Sequence, residues 1–177
     1  MLKQIRQKII DIFGEEVLKK PFGSIVHLPE FEEEFLSVLD EINPVPESIV
    51  EIGTCSGVSA TYFAQWASHI STYDIKNVKI KYEIWKFFNL KNISCCSVKS
   101  DTIPELIADE KFDFAFIDGA HDYESVIKDI VMVKRCGRIL FHDYYSLQVK
   151  KAIKALIETD GGELKIETLN FAYWEKI

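Results

Sequence analysis

The chain has 177 residues, 47% of them hydrophobic and 28% charged. That is the length of one domain, and the composition excludes disorder as its native state. Its 21 Lys and Arg against 28 Asp and Glu leave a net charge of −7, which argues against general binding to a phosphate backbone, so no nucleic acid is expected as partner. A core of this size needs no disulfide or structural metal. The four cysteines, Cys55, Cys95, Cys96 and Cys136, make no C-x-x-C pair, and Met1-Leu-Lys-Gln-Ile opens no secretory signal. Reduced thiols in a soluble, cytoplasmic protein are therefore expected. The longest stretch without Asp, Glu, Lys or Arg, residues 52–73, carries too much Gly, Ser and Thr to span a membrane.

Leu2, Ile5, Ile9, Ile12 and Phe13 recur at helical spacing, and Gly14 stops that helix. A loop bearing Pro and Gly follows over residues 21–29. Phe31, Phe35, Val38, Leu39 and Ile42 mark a second amphipathic helix, with Glu32, Glu33 and Glu34 expected in its first turn, where carboxylates suit the helix dipole. Asn43-Pro44-Val45-Pro46 ends it. Residues 1–45 thus read as a helical extension, a lid on the acceptor side, and residues 46–177 as the main domain.

From Ser48 short apolar runs alternate with helical patterns. Strands are predicted at 49–52, 70–73, 93–98, 112–117 and 138–141, and helices at 58–67, 78–90, 104–109, 123–135 and 147–159. Strands separated by helices imply right-handed crossovers and a parallel sheet. After Gly161-Gly162, runs at 164–169 and 172–177 stand too close together for anything but an antiparallel hairpin. The predicted fold is an α/β three-layer sandwich whose mostly parallel seven-stranded sheet ends in that hairpin.

In such sheets ligands bind at the carboxyl ends of the strands. The first strand ends in Glu51-Ile-Gly-Thr-Cys-Ser-Gly-Val-Ser59. Gly53 permits the turn and Gly57 is placed to let a ligand approach the helix N-terminus, unless both glycines only make a tight strand-to-helix turn. The G-x-x-x-G spacing differs from G-x-G-x-x-G and disfavours NAD. Asp74 closes the second strand, either as a solvated helix cap or at a distance suited to ribose hydroxyls, with Ile75 beside it to pack on an adenine face. Ser100-Asp101 ends the third strand, as a helix cap or as a contact to an adenine amino group.

The stretches EIGTCSGVSA, STYDI, FDFAFIDGAHDYESVIKDI and GRILFHDY, in that order, resemble the class I S-adenosylmethionine-dependent methyltransferases. The branch they are most similar to is that of the catechol-type and sugar O-methyltransferases, over residues 48–177. The resemblance implies a Rossmann-like fold with S-adenosylmethionine as cofactor and Glu51, Gly53, Gly57, Asp74 and Asp101 as its contacts. It also implies a small-molecule acceptor bearing a hydroxyl, a sugar or a phenol. Sequence order places the fourth strand beside the first, so Asp118, His142 and Asp143 would face the transferred methyl and could hold a divalent ion. Relatives with only carboxylate and amide oxygens suit Mg²⁺. His142 departs from that pattern and favours Mn²⁺, Fe²⁺ or Zn²⁺, or no metal.

His121, three residues after Asp118, stands where such relatives carry a lysine or histidine base, so His121 and Asp118 are the catalytic candidates. Asp122 and Tyr123 are expected to open a helix, and Tyr144 and Tyr145 to line the acceptor pocket or simply pack. His27 and His69 have no such setting, and Trp66, Trp85 and Trp174 read as core. Two alternatives stay open at this level: a nucleotide-dependent oxidoreductase, and a cofactor-binding regulatory subunit without turnover.

Overall fold

The computed structural model describes residues 2–19, 25–98 and 111–177. The predicted helix at 104–109, with Ser100 and Asp101, lies outside them. Seven strands form one sheet: β1 (Ser48–Ile52), β2 (His69–Asp74), β3 (Ile93–Ser97), β4 (Phe114–Ile117), β5 (Arg138–Phe141), β6 (Glu163–Glu167) and β7 (Ala172–Glu175). Their order is β3-β2-β1-β4-β5-β7-β6. The first five are parallel, and β7 pairs antiparallel with both β5 and β6.

The helices are α1 (Ile5–Phe13), α2 (Pro29–Glu41), α3 (Val58–Trp66), α4 (Ile80–Phe87), α5 (Tyr123–Val133) and α6 (Leu147–Asp160). Strand alternation sorts the side chains onto two faces. Ile49, Phe114, Phe116, Leu140 and Tyr173 join one apolar cluster with residues of α1, α2, α3 and α4. Val50, Ile52, Ala115, Ile117, Phe141 and Trp174 join a second cluster with α5 and α6. The N-terminal helices therefore share the core of the sheet.

Boundaries differ from expectation where polar residues take other work. The predicted strand at 112–117 starts only at Phe114, because the Asp113 carboxylate accepts the Glu47 and Ser48 N–H groups and an Arg138 N–H. The first predicted helix is split into a short 3₁₀ turn and α1, and a further 3₁₀ turn follows at Glu15–Leu18. Helix α2 starts at Pro29, so Glu33 and Glu34 fall beyond the first turn. Glu32 lies in the first turn, as expected, and accepts the Tyr62 hydroxyl at 2.5 Å. None of the four cysteines is in a disulfide. No helix among the described residues is long and apolar enough to cross a membrane.

Candidate active site

The turn after β1 is built on close backbone packing. Gly53 has φ +106, and a Cβ there would lie 2.1 Å from the Asp118 carbonyl oxygen, so any other residue would push β1 and β4 apart. Cys55 also takes a left-handed φ of 43, held by its N–H donating to Asp74 Oδ2 at 2.7 Å. Asp74 Oδ1 accepts the Lys76 N–H at 2.7 Å. Asp74 thus braces the turn from the end of β2, with Ile75 67% exposed beside it.

Gly57 starts α3 at φ +75. A Cβ there would meet Lys81 and Trp85 of α4 at 2.6 and 2.8 Å, and Trp85 Nε1 donates to the Gly57 carbonyl at 3.0 Å. The missing side chain lets α4 pack against the helix start. Glycine spacing alone does not record that α4 lies opposite.

Beneath the turn, Glu51 is fully buried and accepts the Ser59 and Thr72 hydroxyls. The Thr54 hydroxyl lies 2.5 Å from that of Thr72, extending the chain into the turn. Burial pushes the Glu51 carboxyl up to about 7 against those hydroxyl bonds, and the Asp118 and Asp74 charges add to the rise. A narrow cavity lies here between Gly53, Thr54, Ser56, Val58, Asp118 and Ile25. Ile25 comes from the segment before α2, and buried Arg6 of α1 fixes that segment by donating to the Val26 and His27 carbonyls at 2.9 and 3.2 Å.

The ends of β4 and β5 bring the polar cluster together. Asp118 N–H donates to Ile52 O and His142 N–H to Ile117 O, extending the parallel pairing one residue past the strands. His142 Nδ1 lies 2.8 Å from Asp118 Oδ1 and 3.1 Å from Asp143 Oδ2. One ligand atom each from Asp118, His142 and Asp143 lies within 4.8 Å of the others. Asp143 is buried, in a left-handed conformation with φ 54, which turns its carboxylate back toward both imidazoles.

His121 Nε2 lies 2.7 Å from Asp143 Oδ2 and 3.9 Å from Asp118 Oδ1. Burial works against the charged form of His142, but Asp118 and Asp143 outweigh it and raise its pKa to about 10. The hydrogen bond to Asp143 raises that of His121. Burial opposes ionisation of Asp143, yet its bonds to both histidines hold its carboxyl far below the usual range. Tyr145 also hydrogen-bonds Asp143, while Tyr144 donates its hydroxyl to Glu167.

Other expectations sort plainly. Asp122 caps α5 by accepting the Ser125 N–H at 3.0 Å. His27 packs edge-on to Phe31, and His69 meets Ser71 at the start of β2, both apart from the cluster. Trp85 and Trp174 are core, and Trp66 is partly buried against it. Sequence reasoning missed the Ser59–Glu51–Thr72 hydroxyl set, Ile25 over the turn, and Glu34, whose partner is Asn170. The hydroxyl residues in the otherwise apolar start of α3 were the available signal for the first; the other two depend on distant packing.

A seven-stranded sheet of this order, with a glycine turn, an acidic residue closing β2 and a polar cluster after β4 and β5, is the arrangement of class I S-adenosylmethionine-dependent methyltransferases. The model of a family described as a methyltransferase domain matches residues 50–144, and the chain belongs to that family. No functionally curated protein matches it by sequence. Among solved structures, it is similar to a candidate caffeoyl-CoA O-methyltransferase from Staphylococcus aureus, at 19% identity and TM-score 0.64, over 97% of this chain and 99% of that one. A methyltransferase from Podospora anserina bound to SAH (S-adenosylhomocysteine) has 14% identity and TM-score 0.64, over 82% and 77%. An rRNA methylase from Streptococcus thermophilus has 13% identity and TM-score 0.62, over 87% and 99%.

Proposed function

We propose that this methyltransferase transfers the methyl group of S-adenosylmethionine to a hydroxyl oxygen of a small-molecule acceptor, a sugar or a phenol, as in the catechol-type and sugar O-methyltransferase branch. The observation that carries this reading is the convergence of Asp118, His142, Asp143 and His121 beside the turn after β1, where Gly53 abuts the Asp118 backbone. S-adenosylmethionine, when bound, supplies an electrophilic methyl. Glu51, Gly53, Gly57, Asp74, Ile75 and, outside the described residues, Asp101 form its binding set, with Asp74 on the ribose hydroxyls.

A hydroxyl is a poor nucleophile while protonated, so a group must take its proton as the methyl moves. His121 is half-exposed, at 47% of its side chain, and so is open to an acceptor. The Asp143 carboxylate orients its ring and strengthens its hold on the proton. Two carboxylates and an imidazole suit a divalent ion, Mn²⁺ ahead of Mg²⁺ because of the nitrogen ligand. Bound by Asp118, His142 and Asp143, that ion would acidify the acceptor hydroxyl. Residues 1–45 act as the acceptor-side lid and residues 46–177 as the cofactor domain.

The test is calorimetric titration with S-adenosylhomocysteine, with and without Mn²⁺, followed by a screen of sugars, phenols and catechols for methyl incorporation. Labelled methyl on an ether oxygen supports the reading. Transfer only to nitrogen or carbon acceptors overturns it.

A further inference from the structure

We infer that Glu34 of α2 is a positioning residue for the cluster at the ends of β4 and β5, acting through the turn between β6 and β7. The inference rests on the reading of that cluster as the transfer centre. Asn170 in this turn is 4% exposed and presents two donors to one carboxylate. Its backbone N–H donates to Glu34 Oε1 at 2.8 Å and its Nδ2 to Oε2 at 2.6 Å, across 136 residues of sequence. Burial opposes the charge on Glu34, but bonds from Thr168 and Asn170 and the nearby His142 outweigh it and keep the carboxylate ionised.

The neighbouring residues form a second grip. Phe35 stacks on Phe171 with ring centroids 5.4 Å apart, and Phe171 in turn lies 5.1 Å from the His142 ring. The Asn170 carbonyl accepts the Tyr144 N–H at 3.0 Å. Two consecutive residues of α2 therefore hold two consecutive residues of the turn. Each of those touches the 142–144 segment, on either side of Asp143. The turn is itself closed by Thr168 and Phe171, with N–H bonds of 2.9 and 3.0 Å. Without the carboxylate, two donors of a buried residue lose their acceptor, and the turn is free to leave the backbone of Tyr144 and the face of His142.

Glu34→Gln keeps the shape but turns an N–H toward one of the Asn170 donors. Adding Asn170→Asp reverses one bond: the glutamine carbonyl accepts the backbone N–H at position 170, while its amide donates to the new carboxylate. The measurement is NMR hydrogen exchange of the Tyr144 amide, together with the ¹⁵N shifts of the His142 ring. Glu34→Gln should speed exchange at Tyr144 by about 10-fold or more and move the His142 signals, with Val50 and Phe116 amides unchanged; the double variant should restore both. Asn170→Ala, which removes only the Nδ2 bond to Glu34, should give a smaller rise in folded protein. Unchanged Tyr144 exchange and His142 signals in folded Glu34→Gln, or no recovery in a folded double variant, would overturn the inference. S-adenosylhomocysteine titration of the same samples decides the proposed function separately, since a failure to bind there leaves the exchange result intact.

Discussion

His121 Nε2 sits 2.7 Å from the carboxylate of Asp143, and 3.9 Å from that of Asp118. The partner of the candidate base therefore comes from the end of the neighbouring strand β5, although Asp118 is only three residues away in sequence. Asp143 reaches both His121 and His142, so it links the base to the proposed metal ligands. Its left-handed φ of 54 places it there, a conformation that Asp tolerates better than most residues.

His121→Ala is expected to lower turnover by on the order of 100- to 10,000-fold, the usual contribution of general base catalysis. Affinity for S-adenosylhomocysteine should stay near that of the wild type, because the cofactor turn is braced by Asp74. Turnover, affinity and melting temperature measured on one preparation check this. A joint fall in melting temperature and affinity, without a specific loss of turnover, would make His121 a structural residue.

Asp118, His142 and Asp143 should bind one Mn²⁺ ion, and Asp118→Ala should abolish that binding in a folded protein. Metal ligation needs a neutral imidazole and releases the His142 proton. Binding should therefore tighten as pH rises, and Mn²⁺ titration at two pH values reads this directly. No binding at millimolar Mn²⁺, even with S-adenosylhomocysteine present, leaves a metal-free transferase.

Asp74→Ala should weaken S-adenosylhomocysteine binding by about 10- to 150-fold through loss of a charge-assisted hydrogen bond. It also leaves the Cys55 and Lys76 N–H groups without their acceptor, so a fall in melting temperature should accompany the loss. Calorimetry beside thermal unfolding separates the two effects. Wild-type affinity in this variant would remove Asp74 from the cofactor site.

Glu51 gives the native state a pH dependence with a defined sign. Its carboxyl is raised from 4.5 to about 7 in the folded protein. Below pH 4.5 both folded and unfolded chains hold the proton. Between 4.5 and 7 only the folded chain does, so stability falls across that window by about 3 kcal/mol and then levels off. Asp129, raised to about 7 by burial and by Asp122, adds a fall of the same sign. Glu51→Gln should remove its share, leaving a shallower decline in denaturant-unfolding free energy between pH 5 and 7.5. Parallel curves for the two proteins would show that Glu51 ionises normally in the fold.

The alternation of strands and helices from Ser48 onward was readable in the chain because parallel strands are buried on both faces and carry short continuous apolar runs. Ile49–Ile52 and Arg138–Phe141 needed no partner to be recognised. Gly53, Asp74 and Asp118 were legible for a related reason: they end such runs, and open α/β sheets bind ligands there. Tertiary structure alone made the pairings between these ends. It set Asp143 against His121, Lys81 and Trp85 against Gly57, and Asn170 against Glu34, whose place in an acidic run had suggested only a helix dipole. A hydrogen bond across 136 residues, or a missing Cβ filled by another helix, depends on which faces meet when the core closes. Local periodicity records that a face is apolar, but not what lies opposite it.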